Sequence, residues 1–166
     1  MNFLIIIFTT LIKCSKENIP MSIFSGEFKE REENLKTYLE GFRPPAKYEI
    51  NLPKINNSDI KNELNNKLTA KCQEFMKKMI SAYKIMEKSC MDELRIYNVK
   101  EQEFNEEGKL FNKNEEQIII KEKMRNFYDH YGEEMKLLDV TLMRNINELK
   151  MHYKYKDSVS KYRVIH

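Results

Sequence analysis

Glycine and proline are scarce in this chain, with four of each among 166 residues. An all-β sandwich or barrel uses such residues at turn after turn, so their scarcity excludes that class and favours long helices. Signature motifs are missing as well. There is no GxGxxG and no GxxxxGK[ST], which removes the dinucleotide fold and the phosphate-cradling loop. HExxH is absent, and neither His130 nor His152 follows a glutamate at the Glu-x-x-His spacing of a di-iron bundle. His130, His152 and His166 also lack a cysteine at zinc-ligand spacing, so no metal or other cofactor is expected. A formal charge of +3 is too small to point to nucleic acid.

The chain does hold material for a core. Hydrophobic residues make up 41% of it and charged residues 33%, a balance that argues against wholesale disorder. Its length suits one domain. Lysine far outnumbers arginine, and asparagine and isoleucine are abundant, so the composition also carries the codon bias of an AT-rich genome.

The N-terminal segment MNFLIIIFTTLIKC is apolar from Phe3 to Ile12. A helix of that length rises only ~15 Å, about half the ~30 Å hydrocarbon layer. It fits the apolar region of a secretory signal peptide, with residues 1–14 removed by cleavage between Cys14 and Ser15. No lysine or arginine precedes the apolar run, which departs from the usual signal pattern. A start at Met21 would make the protein cytoplasmic instead. No later segment is apolar for long enough to span a bilayer, so the expected mature chain is secreted, or lumenal in the secretory pathway, without a membrane span.

Residues 15–24 read as an irregular lead-in, and a helical bundle over 25–156 follows. The first helix is predicted over about 25–40, from Phe28, Leu35 and Leu39 at helical spacing, with Gly41 as a left-handed stop and Pro44-Pro45 behind it. RPPAKYEINLPKINN is an extended loop whose Asn-Asn-Ser-Asp end offers N-caps to the next helix. That second helix, about 58–107, places Leu64, Leu68, Cys72, Phe75, Met79, Tyr83, Met86, Cys90, Leu94 and Tyr97 at spacings of 4, 4 and 3, repeated three times. The third, about 114–155, opens on Asn114 with Gln117 as a reciprocal cap. It places Ile120, Met124, Phe127, Tyr131, Met135, Leu138, Leu142, Ile146, Leu149 and Tyr153 at spacings of 4, 3 and 4.

Both stripes thus repeat every eleven residues rather than every seven. The period is ~3.67 residues per turn, which gives nearly straight, coiled-coil-like pairing. A short loop joins two stripes of equal length. The predicted fold is therefore all-α: a long antiparallel hairpin with eleven-residue repeats and a shorter N-terminal helix, forming a three-helix bundle. The hairpin register sets Leu64 opposite Tyr153, Cys72 opposite Ile146 and Cys90 opposite Phe127. The first helix is long enough to cover about half of the hairpin, which leaves one end as a dimer contact or ligand groove. Residues 157–166 lose the pattern and read as a flexible basic tail.

Cys72 and Cys90 remain once Cys14 leaves, and an oxidising compartment favours pairing them. On one helix they stand ~27 Å apart, whereas a disulfide needs Cα atoms within ~7 Å. No intramolecular bond is predicted; the thiols are buried or link to a second chain. Asn56 opens the glycosylation sequon Asn56-Asn57-Ser58 in the loop. Lys150, Lys154, Lys156, Lys161 and Arg163, interleaved with tyrosines, make a candidate patch for an anionic partner, though a helix C-terminus favours cations in any case. Glu148 and His152 are spaced for a surface ion pair, and Asp129-His130 beside Glu133-Glu134 reads as a solvated face without a nucleophile in register. These features predict a secreted, non-enzymatic helical interaction protein that binds a protein partner or a second copy of itself. The alternative is a secreted carrier of lipid or another hydrophobic ligand, prompted by the methionine- and tyrosine-rich seam.

Overall fold

The computed structural model describes residues 19–163, the side chain of Arg163 excepted. The predicted signal segment and the last three residues of the predicted tail lie outside the described residues. A 3-10 turn at Met21–Phe24 is followed by three helices: α1 (Phe28–Glu40), α2 (Ser58–Glu106) and α3 (Lys113–Arg163). The described residues contain no strand. The two long helices pack against each other as an antiparallel hairpin, and the fold is the expected all-α bundle.

Local chemistry sets the helix ends. Gly26 adopts φ +79°, a left-handed conformation that delays α1 until Phe28. Gly41 does not act as the predicted left-handed stop. It stays right-handed, at φ −62°, and the following prolines end the helix. Gly108, at φ +66°, is the left-handed residue after α2. Asn57 caps α2, its Oδ1 accepting from the amides of Asp59 (2.9 Å) and Ile60 (3.1 Å). At α3 the cap is Asn112, not Asn114. Its Oδ1 accepts from the amide of Glu115 at 3.3 Å, and its Nδ2 donates to the Glu115 carboxylate at 3.0 Å.

All ten predicted seam residues of α2 are buried. The α3 seam needs a correction. Its inward positions are Ile120, Met124, Tyr128, Tyr131, Met135, Asp139, Leu142, Ile146, Lys150, Tyr153 and Asp157, all buried except the half-buried Lys150. Their spacings are 4, 4 and 3, the same phase as α2. Phe127, Leu138 and Leu149 each stand one residue off this line and are only half-buried. Position Phe127, expected opposite Cys90, yields its core place to Tyr128. The same phase carries α3 on to Arg163, through the described part of the predicted flexible tail, because Asp157 occupies an inward step.

The chain divides into two compact units. The first combines the residues up to Arg43 with Ile80–Lys136. Here α1 is the third layer: Phe24 meets Tyr97 edge-on at 5.1 Å between ring centroids, and the Tyr131 hydroxyl donates to the carbonyl of Phe42 at 2.7 Å. The second unit combines Pro44–Met79 with Leu137–His166. Its core joins Ile60, Leu64, Leu68, Cys72 and Phe75 to Leu142, Ile146 and Tyr153, so the expected partners Leu64 and Tyr153, and Cys72 and Ile146, share one cluster.

The end predicted to lie open is covered by the chain itself. The loop between α1 and α2 packs Tyr48, Ile50, Leu52 and Ile55 on the core of the second unit. Alternation explains this: Glu49, Asn51 and Lys54 face solvent while the apolar residues between them face the helices. An extended strap replaces the missing length of third helix.

Candidate functional site

Polar side chains meet inside the first unit around Arg31. Its Nη1 donates to Asn98 Oδ1 at 3.0 Å and to Glu101 Oε2 at 2.5 Å, and its Nε donates to the carbonyl of Gly26 at 3.0 Å. The guanidinium also lies over the rings of Phe28 and Tyr97, 5.5 and 5.6 Å from their centroids. Burial pushes the Glu101 carboxyl up, but the hydrogen bond from Arg31 and the nearby ammonium of Lys113 outweigh it and hold the group below the usual carboxylate range. Lys113 Nζ is 2.9 Å from Glu101 Oε1, an ion contact that lacks hydrogen-bond geometry. The cluster fastens α1 to α2 and is closed to solvent, so it offers no place for a substrate.

Sequence reasoning missed this cluster, although one signal marks it. Glu101 occupies the next step of the 4-4-3 rule after Tyr97, so the rule puts it inside. A charged residue on an inward step needs a partner, and Arg31 is that partner.

In the second unit Asp139 plays the opposite part. It is 1% exposed, and its Oδ2 has no hydrogen-bond partner. Burial raises the pKa of its carboxyl. Above it the strap residue Tyr48 donates its hydroxyl to Met79 Sδ at 3.2 Å, a weak bond. Burial, then the nearby Asp139 and Cys72, push the Tyr48 phenol well above its ordinary value. The strap is held at its other end by Asp157, which accepts from the amides of Asn56 (3.2 Å) and Asn57 (3.0 Å).

The residues singled out in the sequence do not form one site. Cys72 and Cys90 are both buried free thiols, and burial pushes both pKa values up, that of Cys90 to about 12. A crosslink between chains would require either thiol to leave its buried position. Asn56 is exposed in the strap, accessible to a glycan. Lys156 leaves the proposed basic patch to pair with Glu63 at 2.6 Å; that bond, with one from the Tyr153 hydroxyl, lowers the Glu63 pKa to about 2. Lys161 lies 4.0 Å from Asp157, while Lys150 and Lys154 have no ion pair among the described residues.

Glu148 and His152 form no ion pair with each other among the described residues. They line an open cleft of about 310 Å³ with Lys71, Asn145 and Leu149. Asp129, His130, Glu133 and Glu134 are all exposed. Among the described residues no group of three or more His, Cys, Asp or Glu side chains is placed to hold a metal ion.

The outer helix faces are more informative than the interior. Ile85, Ile96 and Val99 stand in solvent on α2, and Leu137, Val140, Met151, Tyr155 and Tyr162 on α3. Compared with family models, curated proteins and solved structures, the chain matches none.

Proposed function

We propose that this chain is a secreted, non-enzymatic helical interaction protein that binds a protein partner or a second copy of itself through an outer face of its long helices. One observation supports the reading most. Ile85 and Ile96 are eleven residues apart on α2, hence on one face, and both are exposed, with Val99 beside them. Asp92, Arg95 and Glu103 share that face, so it offers both charge signs around an apolar line, a composition that can complement itself or a mixed-charge helix. The carrier reading has less support. The seam methionines Met79, Met86, Met124 and Met135 are all buried, and the strap fills the groove that a ligand would enter.

The test is light scattering coupled to size-exclusion chromatography, with chemical crosslinking and mass mapping in the protein's native source. The reading expects a dimer or a reproducible partner crosslinked around Ile85–Val99, and disruption by Ile96→Glu. A monomer at every concentration, with no reproducible crosslink at this face, overturns it. Secretion is tested separately by the N-terminus of the native protein, which should be Ser15.

A further inference from the structure

We infer that the outward stripe of α3 between Leu137 and Tyr162 docks this protein on an anionic membrane surface. The stripe lies within the second unit and runs ~38 Å along one helix. Leu137 is 69% exposed, Val140 47%, Met151 66%, Tyr155 71% and Tyr162 74%. Val140, Met151 and Tyr162 are eleven residues apart, so the inward 4-4-3 rule has an outward counterpart. Solvated helix faces are normally polar, and an apolar line of this length needs an occupant.

Charge selects the occupant. Arg144 lies within the stripe and Lys154 and Lys161 along one edge, with Lys150 half-buried on the inward step behind them, whereas Glu148 is the one acid at the other edge between residues 137 and 162. Half of the lysines of the long helices spend their charge on a neighbouring acid, among them Lys71 and Lys78 on Glu74, Lys123 on Glu93 and Lys156 on Glu63. Arg144, Lys150 and Lys154 have no such partner among the described residues. A second copy of the chain would set these cations against their own kind, which disfavours self-pairing here. Lysine is also depleted from protein–protein interfaces, while it suits a lipid surface, where its stem lies along the apolar zone and its ammonium reaches the headgroups. Tyrosines at the same level prefer the water–lipid boundary. An apolar ribbon one face wide, edged by lysines and punctuated by tyrosines, is the pattern of a helix lying in that boundary.

The test is co-sedimentation of the full chain with vesicles of phosphatidylcholine and phosphatidylserine in equal parts, beside vesicles of phosphatidylcholine alone. Binding is expected to the anionic vesicles, weakening as salt rises. Met151→Ser with Tyr155→Ser should raise the lipid concentration for half-binding about tenfold or more. Arg144→Glu with Lys154→Glu should raise it about twentyfold or more, from the loss of two cations near an anionic surface. Ile118→Ser, an exposed apolar change elsewhere, should leave it unmoved. All five substituted positions are exposed, so unchanged helicity by circular dichroism is expected and checks the comparison. Failure to bind the anionic vesicles overturns the proposal. So does binding that ignores the α3 substitutions, which would place it in another segment such as the apolar N-terminus. Binding lost on charge reversal but insensitive to Met151→Ser with Tyr155→Ser also overturns it, by reducing the face to a site for soluble polyanions or acidic proteins.

Discussion

Arg31 and Glu101, seventy residues apart in sequence, meet in the interior at 2.5 Å. Both side chains are below 10% exposed, so each charge depends on the other for its stability. Arg31→Met leaves Glu101 with only the exposed Lys113, and should destabilise the protein by about 3 kcal/mol. Arg31→Met with Glu101→Leu removes both charges and should recover most of that loss. Urea unfolding of the two variants, followed by circular dichroism, checks the prediction.

Asp139 predicts a pH dependence of one sign. Its folded pKa is raised by burial, so the fold favours the protonated carboxyl. That contribution is complete below the unfolded pKa and is lost as pH rises through the folded value. Asp139→Asn cannot ionise, and should be more stable than the parent at pH 8 by about 1–2 kcal/mol, with the difference vanishing in acid. Unfolding curves at several pH values decide this. Comparison with the variant also cancels the opposite slope of carboxylates such as Glu63 and Glu101, whose pKa values are lowered.

Asp157 titrates in the other direction. Hydrogen bonds from the amides of Asn57 and Asn56 lower its pKa, with burial opposing them and Lys161 assisting. Its hold on the strap is therefore present above the unfolded pKa and lost as pH falls through the folded one. The amide proton shifts of Asn56 and Asn57 should move together at a pH below the usual carboxylate range. Asp157→Ala should abolish that titration and speed amide exchange in the strap.

Cys90 should resist alkylation in the folded protein, because a thiol pushed up to about 12 carries almost no thiolate at neutral pH. Cys72 should be protected by the same burial. Peptide mapping after iodoacetamide, with and without guanidinium, is expected to label both only when the protein is unfolded. A monomer two hydrogens light in its intact mass would contradict the free thiols.

The apolar residues of α2 made its seam legible, since inward steps from Leu64 to Tyr97 are occupied by residues that favour burial. The α3 seam was harder to read. Its true line passes through Tyr128, Asp139 and Lys150, eleven residues apart, and each has an apolar neighbour one place before it. Reading by hydrophobicity therefore stepped onto Phe127, Leu138 and Leu149. Asp157 hid the last turn in the same way, because a charged residue on an inward step looks like the end of a pattern.

Sequence periodicity alone determined the helical class, the two long helices, their eleven-residue repeat and the separation of the cysteines. These follow from a rule acting between neighbours on one helix, where rise and angle per residue are fixed. Tertiary structure decided the rest: that an extended strap completes the core of the second unit, that Arg31 partners Glu101, and that Asp139 is buried without a partner. Each depends on segments distant in the chain competing for the same surface, and side-chain spacing along one helix does not encode that outcome.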